Sequence, residues 1–166
     1  MTKSKKIRNV AFIGLGIALY IVMSLTLKIP LISHISVDLG YIVLAVYCYN
    51  FGAISGALVG AVGCSLMSTL VYGMFPIGWL VGNLVIGAVC GLLYARNGKF
   101  KYIRNIIVTI VMVFVGVGLI KTIIECKLYH IPFGIKFVKN LVAFACDSVV
   151  MVIGTFIAPK VPIKKA

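Results

Sequence analysis

Six long apolar stretches, separated by short polar connectors, fill almost the whole of this 166-residue chain. Each stretch is continuously apolar, and most reach the ~20 residues that an α-helix needs to cross the hydrocarbon core of a bilayer. The pattern predicts an all-α, polytopic membrane protein in which six transmembrane helices form one bundle and a single domain, residues 1–166. The predicted stretches are approximately Arg8–Leu27, Asp38–Phe51, Gly52–Tyr72, Pro76–Tyr94, Tyr102–Ile124 and Phe133–Ala158.

The second stretch is shorter than the others. At ~1.5 Å per residue, Asp38–Phe51 reaches roughly 20 Å, less than the ~30 Å hydrocarbon core. Such a helix must be tilted or truncated, or its ends must be buried by other helices or by the preceding loop. That loop, Lys28–Val37, is interrupted by Pro30.

Composition supports the membrane interpretation and excludes other classes. Apolar residues make up 62% of the chain and charged residues 11%. A soluble domain of this size does not have enough interior to hide so much apolar surface, so the surrounding solvent is lipid. The net charge of +13 would suggest a nucleic-acid partner in a soluble protein, but here the basic residues lie in short connectors, and we expect no nucleic acid to bind. The five cysteines lack C-x-x-C spacing, and we interpret them as packing residues.

Basic residues concentrate on one side of the predicted membrane. The N-terminal segment, the connector between the fourth and fifth stretches, and the C-terminal segment hold 11 of the 16 lysines and arginines. With six spans these segments share one side, which the positive-inside rule places in the cytoplasm. We therefore expect a multi-pass protein of the cell membrane with both termini cytoplasmic. The basic N-terminus is followed by an apolar run without an evident cleavage site, so it predicts a retained helix rather than a signal peptide.

Polar and ionisable side chains lie in the outward halves of the last three stretches. Such groups are costly in lipid and usually face a cavity or a partner. Residues four or seven apart share a helix face, so these side chains converge. The pattern predicts an outward-facing pocket for a small molecule, with aromatic walls and a few fixed polar groups. The candidate substrate-binding residues in these stretches are Trp79, Asn83, Lys121, Glu125, Lys139, Asn140 and Asp147, and Tyr41 of the second stretch is a further candidate as a stacking surface.

Most of these residues also have a purely structural interpretation. Lys121 and Glu125 can form a simple i,i+4 ion pair at a helix end. Lys139 can extend to the outer headgroups, and Trp79 can be an interface anchor. Asn140 and Asp147 are harder to explain in this way, because Asp147 lies about ten residues from either end of its stretch. Asp147 can also pair with Lys139 or Lys121, or form a hydrogen bond across helices.

Small residues recur at four-residue intervals and predict where helices touch. In the third and fourth stretches they predict close packing of helix backbones, at Gly52, Gly56 and Gly60, at Gly78 and Gly82, and at Gly87 and Gly91. The first stretch carries a small-residue patch of Ala11, Gly14 and Ala18. This patch can pack inside the bundle or receive a helix from another protein, and the spacing alone does not choose between them.

The sequence contains no recognisable catalytic arrangement. It has no H-E-x-x-H motif, no nucleophile elbow and no phosphate-binding glycine loop. His34 and His130 lack a nucleophile and an orienting partner nearby in the sequence. We therefore expect no enzyme activity, no cofactor and no metal, and any active transport must draw energy from a partner or an ion gradient.

Four segments carry a resemblance to a known family. They are RNVAFIGLGIALYIVM in the first stretch, residues 37–60, residues 72–94, and IPFGIKFVKNLVAF at residues 131–144. In these segments the chain resembles the substrate-binding S components of bacterial energy-coupling factor (ECF) vitamin transporters, in particular the riboflavin-transporter-like branch. The resemblance implies high-affinity capture of a water-soluble vitamin from outside the cell. It also implies docking on a shared ECF transmembrane subunit that two cytoplasmic ATPase subunits drive.

The resemblance further implies roles for individual positions. The small-xxx-small pattern that contacts the shared subunit falls on Gly14 and Ala18, and the loop that covers the pocket corresponds to Lys28–Val37. Ligand-binding polar positions match Asn83, Lys139 and Asn140. One position departs from the family, because riboflavin binders typically have asparagine after IPF, where this chain has Gly134. That departure argues against riboflavin itself.

The ligand class and two other functions stay open at this point. The lysines near the predicted pocket favour a carboxylate, a phosphate or an electron-rich heterocycle, while Asp147 and Glu125 can accept hydrogen bonds from ring nitrogens. A six-span scaffold protein of the bacterial cell-shape machinery has a similar size and needs no outer cluster of lysines. A stand-alone secondary carrier is disfavoured, because the sequence shows no inverted repeat.

Overall fold

The computed structural model describes residues 3–26, 29–32 and 35–161. In those ranges the chain is almost entirely helical, as the sequence predicts. The α-helices there are α1 (Lys3–Thr26), α2 (Gly40–Phe51), α3 (Ala53–Tyr72), α4 (Ile77–Leu93), α5 (Lys101–Val113), α6 (Thr122–Tyr129) and α7 (Phe133–Ile157). A π-helical segment, Phe114–Lys121, joins α5 to α6 without a break, and a 3-10 turn, Ala158–Lys160, follows α7.

The connector after α1 differs from the loop that the sequence predicts. Strand β1 (Ile29–Ile32) and strand β2 (Ile35–Val37) pair as an antiparallel hairpin. Isoleucine and valine favour extended backbone, and a two-stranded ribbon has only edge strands, where Pro30 is tolerated. Lys28 and His34, which belong to the predicted loop, lie outside the described residues.

Helix α2 is as short as the sequence predicts. Its 12 residues span about 18 Å. It packs against α1, α3, α4 and α7, and Tyr41, Leu44 and Cys48 on it are fully buried. Four neighbouring helices therefore surround it, which allows a helix shorter than the bilayer core to keep its backbone ends away from lipid.

Glycines bring α3 and α4 into direct backbone contact, as their four-residue spacing predicts. A Cβ atom added to Gly56 would lie only 2.7 Å from the carbonyl oxygen of Gly87. Gly82 approaches the π-helical segment in the same way, with 2.7 Å between an added Cβ and the Gly116 carbonyl oxygen. No side chain fits at these crossings, so α4 packs backbone to backbone against neighbours on two sides.

Hydrogen bonds join the connector between α4 and α5 to the rest of the bundle, at the end where α2 ends. The Arg96 Nε donates to the Tyr49 carbonyl oxygen at 2.9 Å, and the Tyr49 hydroxyl donates to the Arg96 carbonyl oxygen at 3.1 Å. Asn105 Oδ1 accepts from the Ala95 backbone nitrogen at 2.7 Å, and Asn105 Nδ2 donates to the Ala95 carbonyl oxygen at 3.1 Å. These contacts hold the basic connector between α4 and α5 against the bundle.

The outer surface of the bundle is apolar. Large side chains such as Leu15, Ile54, Leu70 and Ile135 are more than half exposed. Among the described residues, four helices are long and apolar enough to cross a membrane, namely α1, α3, the continuous helix from α5 to α6, and α7, while α2 and α4 are shorter apolar helices. Such a surface is typical of a multi-pass membrane protein. The count of six spans stays a prediction.

Candidate ligand-binding site

A cavity of about 510 Å³ opens among the helices, a volume in the range of small-molecule sites. Helix α3 contributes its last turns to the lining, whereas α4 and α7 contribute their first turns. The cavity therefore lies at the end of the bundle opposite the Tyr49–Arg96 contacts. Its lining consists of Asp38, Cys64, Met67, Ser68, Tyr72, Met74, Trp79, Lys121, Glu125, Lys136, Lys139, Asn140, Ala143 and Asp147.

Charged side chains are concentrated in this cavity. All three acidic residues of the chain, Asp38, Glu125 and Asp147, belong to the lining, together with three lysines. Because ionised groups are costly in hydrocarbon, such a concentration marks a hydrated space rather than a lipid-facing surface.

The structure brings six of the eight candidate residues to the lining and leaves two behind it. Those in the lining are Trp79, Lys121, Glu125, Lys139, Asn140 and Asp147. Tyr41 and Asn83 are fully buried and do not belong to the lining. Direct ligand contact by these two residues stays a prediction.

A buried polar network forms one wall of the cavity. The Glu125 carboxylate lies 3.4 Å from the Lys121 Nζ and 3.2 Å from the Lys136 Nζ. Lys121 also donates to Asn140 Oδ1, and Asn140 Nδ2 donates to Thr122 Oγ1 at 2.8 Å. The i,i+4 ion pair considered from the sequence is thus present, but it is buried and cross-linked to α7 rather than isolated at a helix end.

Trp79 is part of the same wall. The Lys121 Nζ lies 4.3 Å from the centroid of the Trp79 ring, which is the geometry of a cation–π contact. The ring is therefore held by the network instead of standing alone as an interface anchor. A flat ligand that stacks on this face of Trp79 must first displace the ammonium group.

Asp147 forms a second, deeper polar layer with Tyr41 and Asn83. Its side chain is only 3% exposed, and its Oδ2 has no hydrogen-bond partner among the described residues. The Tyr41 hydroxyl lies close to both Asn83 and Asp147 but forms no hydrogen bond with either, and both amide atoms of Asn83 also lack partners in the described chain. Buried polar groups without partners are rare and costly, so this layer is suited to bind water or a ligand.

Asp38 is a lining residue that the sequence pattern did not single out. It accepts hydrogen bonds from the Gly40 backbone nitrogen at 2.8 Å, the Tyr20 hydroxyl at 3.1 Å and the Ser24 hydroxyl at 2.5 Å. Asp38 therefore ties α1 to the start of α2, directly after the hairpin. An aspartate just before an apolar run is a known helix-start signal, and that signal was available in the sequence.

Helix α3 also contributes residues that were not expected at the site. From the sequence, the glycines of α3 predicted only helix packing. The series of small residues at four-residue intervals that includes Gly56 and Gly60 continues, however, with Cys64 and Ser68. The series packs on α4 near the start of α3 and lines the cavity toward its end. The serine within an apolar helix was the available signal, since such hydroxyls often bond across helices.

The small-residue patch on α1 lies on the surface. Ala11, Gly14 and Ala18 are all exposed. A Cβ atom added to Gly14 would meet nothing within 4 Å, whereas one added to Gly16 would collide with the Tyr47 ring. Of the two alternatives left open by the sequence, packing inside the bundle is therefore wrong for this patch.

The thiols serve the packing of the bundle. All five cysteines are free, and Cys48, Cys64 and Cys90 are buried. Among the described residues, no group of three histidine, cysteine or acidic side chains is placed to hold a metal ion.

Comparison with known sequences points to one family. Residues 4–158 match the family described as ECF-type riboflavin transporter, S component. A UPF0397 protein of Streptococcus thermophilus is 26% identical over 159 residues, which cover 92% of this chain and 88% of the relative. A UPF0397 protein of Lactococcus lactis subsp. cremoris is 29% identical over 164 residues, which cover 93% of this chain and 90% of the relative.

A solved structure shares the fold. The crystal structure of the S-component for biotin from an ECF-type ABC transporter matches with a TM-score of 0.66 over 96% of this chain and 93% of that chain. The sequence identity is 16%, so the match concerns the arrangement of helices and not the ligand.

Proposed function

We propose that this chain, which belongs to the family of ECF-type riboflavin transporter S components, captures a water-soluble vitamin or related micronutrient outside the cell. The family match confirms the resemblance drawn from the sequence and favours an S component over a cell-shape scaffold or a stand-alone carrier. An S component is a transport subunit and not an enzyme. In our proposal the loaded protein delivers its ligand across the membrane with a shared ECF transmembrane subunit and two ATPase subunits.

The observation that carries this proposal is the charged cavity of about 510 Å³. It lies at the end of the bundle opposite the connector that contains Arg96 and Lys99. If the positive-inside rule places that basic connector in the cytoplasm, the cavity faces the outside, where a nutrient arrives. A scaffold protein would have no need for such a space.

The proposed docking surface is the exposed patch of Ala11, Gly14 and Ala18. Small exposed residues let the helix of another membrane protein approach the α1 backbone closely. The sequence contains no phosphate-binding glycine loop, so the proposed transport draws its energy from ATP hydrolysis in partner subunits.

Mass spectrometry of the small molecule that co-purifies in detergent tests the capture step. We expect Lys139→Ala and Asn140→Ala to reduce retention of that molecule, because both side chains line the cavity. Lys127→Ala is the matched control, since Lys127 is exposed and is not part of the lining. Unchanged retention in both cavity variants would remove the cavity from the proposal.

Co-purification and uptake measurements test the delivery step. The wild-type chain should pull down a membrane subunit and two ATPases. Gly14→Leu should abolish uptake and pull-down but leave ligand binding intact, because the added side chain covers the patch and touches nothing inside the bundle. Gly14→Ala is the conservative control. Loss of ligand binding together with uptake in Gly14→Leu would show misfolding and not blocked docking.

A further inference from the structure

The charged groups of the cavity are not all paired with each other. Glu125 forms ion pairs with Lys121 and Lys136, and Asp38 receives three hydrogen bonds from α1 and α2. Asp147, by contrast, has no ion-pair partner within reach in the described chain, although it is 3% exposed. After the internal contacts are made, Asp147 is the acidic group that the cavity offers to a ligand.

The surroundings of Asp147 are polar and incomplete. The Tyr41 hydroxyl lies next to it and the Asn83 amide lies next to that hydroxyl, and both groups are fully buried without hydrogen bonds to other described residues. An uncompensated carboxylate is among the most costly groups to bury, and its cost falls when a cation or N–H donors reach it. Lys121 cannot take this role at close range, because it is held by Glu125, Asn140 and Trp79.

A complementary group stands at the other end of the cavity. Lys139 lines the cavity, is exposed, and forms no ion pair with another described residue. Lys139 and Asp147 are eight positions apart on α7, which corresponds to about 12 Å along the helix axis. The cavity therefore offers a deep acceptor and an outer cation at a separation that suits one vitamin-sized molecule.

We propose that the ligand has two chemically different ends. Its inner end is an aromatic nitrogen heterocycle with amino N–H donors that the Asp147 carboxylate accepts, and its outer end carries an anionic or acceptor group that Lys139 binds. This assignment rests on the proposed function, since it names the class of molecule captured. Adjacent N–H donors match the two oxygens of a carboxylate, and such charge-assisted bonds are stronger than neutral ones.

The same chemistry disfavours carbonyl-rich ring edges. A carboxylate is an acceptor without a donor, and so it repels the two carbonyl oxygens that flank the imide N–H of a flavin or of uracil. The description of the family to which this chain belongs names riboflavin as the transported molecule. Asp147 gives a physical reason for this chain to take a different ligand. Gly134, which replaces the asparagine expected of riboflavin binders, points in the same direction.

The test compares two probes of one ring size by calorimetry on the full chain in lipid nanodiscs. The probes are 2,4-diaminopyrimidine, which presents two amino groups, and uracil, which has carbonyl groups in their place and an imide N–H between them. We expect the diaminopyrimidine to bind at least about tenfold more tightly, equivalent to ~1.4 kcal/mol. In Asp147→Asn this preference should disappear, whereas Cys146→Ser, which alters the neighbouring residue outside the lining, should keep it.

Thermal unfolding separates lost recognition from misfolding. Without a ligand, Asp147→Asn should be about as stable as the wild type, because it replaces a buried carboxyl group that has no ion-pair partner among the described residues by an amide of the same size. The diaminopyrimidine should then raise the Tm of the wild type and not that of the variant.

Three results would overturn the assignment of Asp147: no binding of the diaminopyrimidine, equal or tighter binding of uracil or riboflavin, or a preference that survives in Asp147→Asn. If a co-purified molecule is still retained through Lys139 and Asn140 in that case, the capture function stands and only the ligand class is wrong. If no small molecule is retained and no ATPase co-purifies, the proposed function and the ligand class fall together.

Discussion

Replacing Glu125 by glutamine removes the counter-ion of two lysines without changing the shape of the side chain. The Glu125 carboxylate lies within 3.4 Å of the Nζ atoms of Lys121 and Lys136. The side chains of Lys121 and Glu125 are 5% and 12% exposed, so water cannot easily replace the lost interaction. The substitution should therefore destabilise the fold.

The size of the effect follows from the surroundings of each lysine. Removing one partner of a buried ion pair typically costs about 3–5 kcal/mol, because an uncompensated charge stays behind. Lys136, with 19% of its side chain exposed, can turn toward solvent, and Lys121 keeps its contacts with Asn140 and Trp79. We therefore expect the lower value, ~3 kcal/mol, which for a chain of this length corresponds to a fall in Tm of roughly 6–12 °C.

A thiol-reactive fluorophore measures this unfolding in detergent, because buried cysteines become reactive when the bundle opens. Lys127→Gln, which changes an exposed charge close by, should leave the Tm almost unchanged. Combining Glu125→Gln with Lys121→Met should recover part of the stability, since it removes the stranded charge. A Tm of Glu125→Gln equal to that of Lys127→Gln, or a double variant no more stable than the single one, would refute the buried network.

Three further predictions concern packing, the cavity wall and a connector. Gly87→Ala should destabilise by about 1–3 kcal/mol, since its Cβ would meet the α3 backbone, whereas Gly14→Ala should not lower the Tm. Trp79 is the only tryptophan and lines the cavity, so adding the co-purified molecule back to stripped protein should change the tryptophan emission, and unchanged emission on binding would contradict this. Asn105→Ala should cost about 1–3 kcal/mol by unfolding measurements, because the partly buried backbone N–H and C=O groups of Ala95 lose their partner. Asn97→Ala, an exposed change in the same connector, should cost little.

The positions of the helices could be predicted because lipid imposes a simple rule on the sequence. The sixth predicted stretch, Phe133–Ala158, and α7, Phe133–Ile157, differ by one residue at one end. The hairpin could not be predicted, because its strands are too short to show an alternating pattern and Pro30 favours a loop. The fifth helix was predicted to end near Ile124 and instead continues to Tyr129, past a π-helical segment that has no local sequence signature.

The sequence predicted which helix faces the site residues occupy, but not how far each side chain lies from the cavity. Spacing on one helix places Asn140 and Asp147 on the same face, and both line the cavity. Spacing does not give the distance of a side chain from the cavity. It therefore did not show that Asn83, one turn beyond Trp79, is fully buried outside the lining. Asp38 was missed as a cavity residue because the sequence indicates only that it precedes a helix, whereas its place in the lining depends on how α1 and α2 meet.

The π-helical segment Phe114–Lys121 makes this helix unusually tolerant of a change in length. Its i→i+5 turns hold roughly one residue more than an α-helical turn. Deleting one residue there would tighten the wide turn into regular helix while the flanking halves keep their orientation. The same deletion earlier, in Lys101–Val113, would rotate everything after it by about 100°, and Glu125 would then point away from α7.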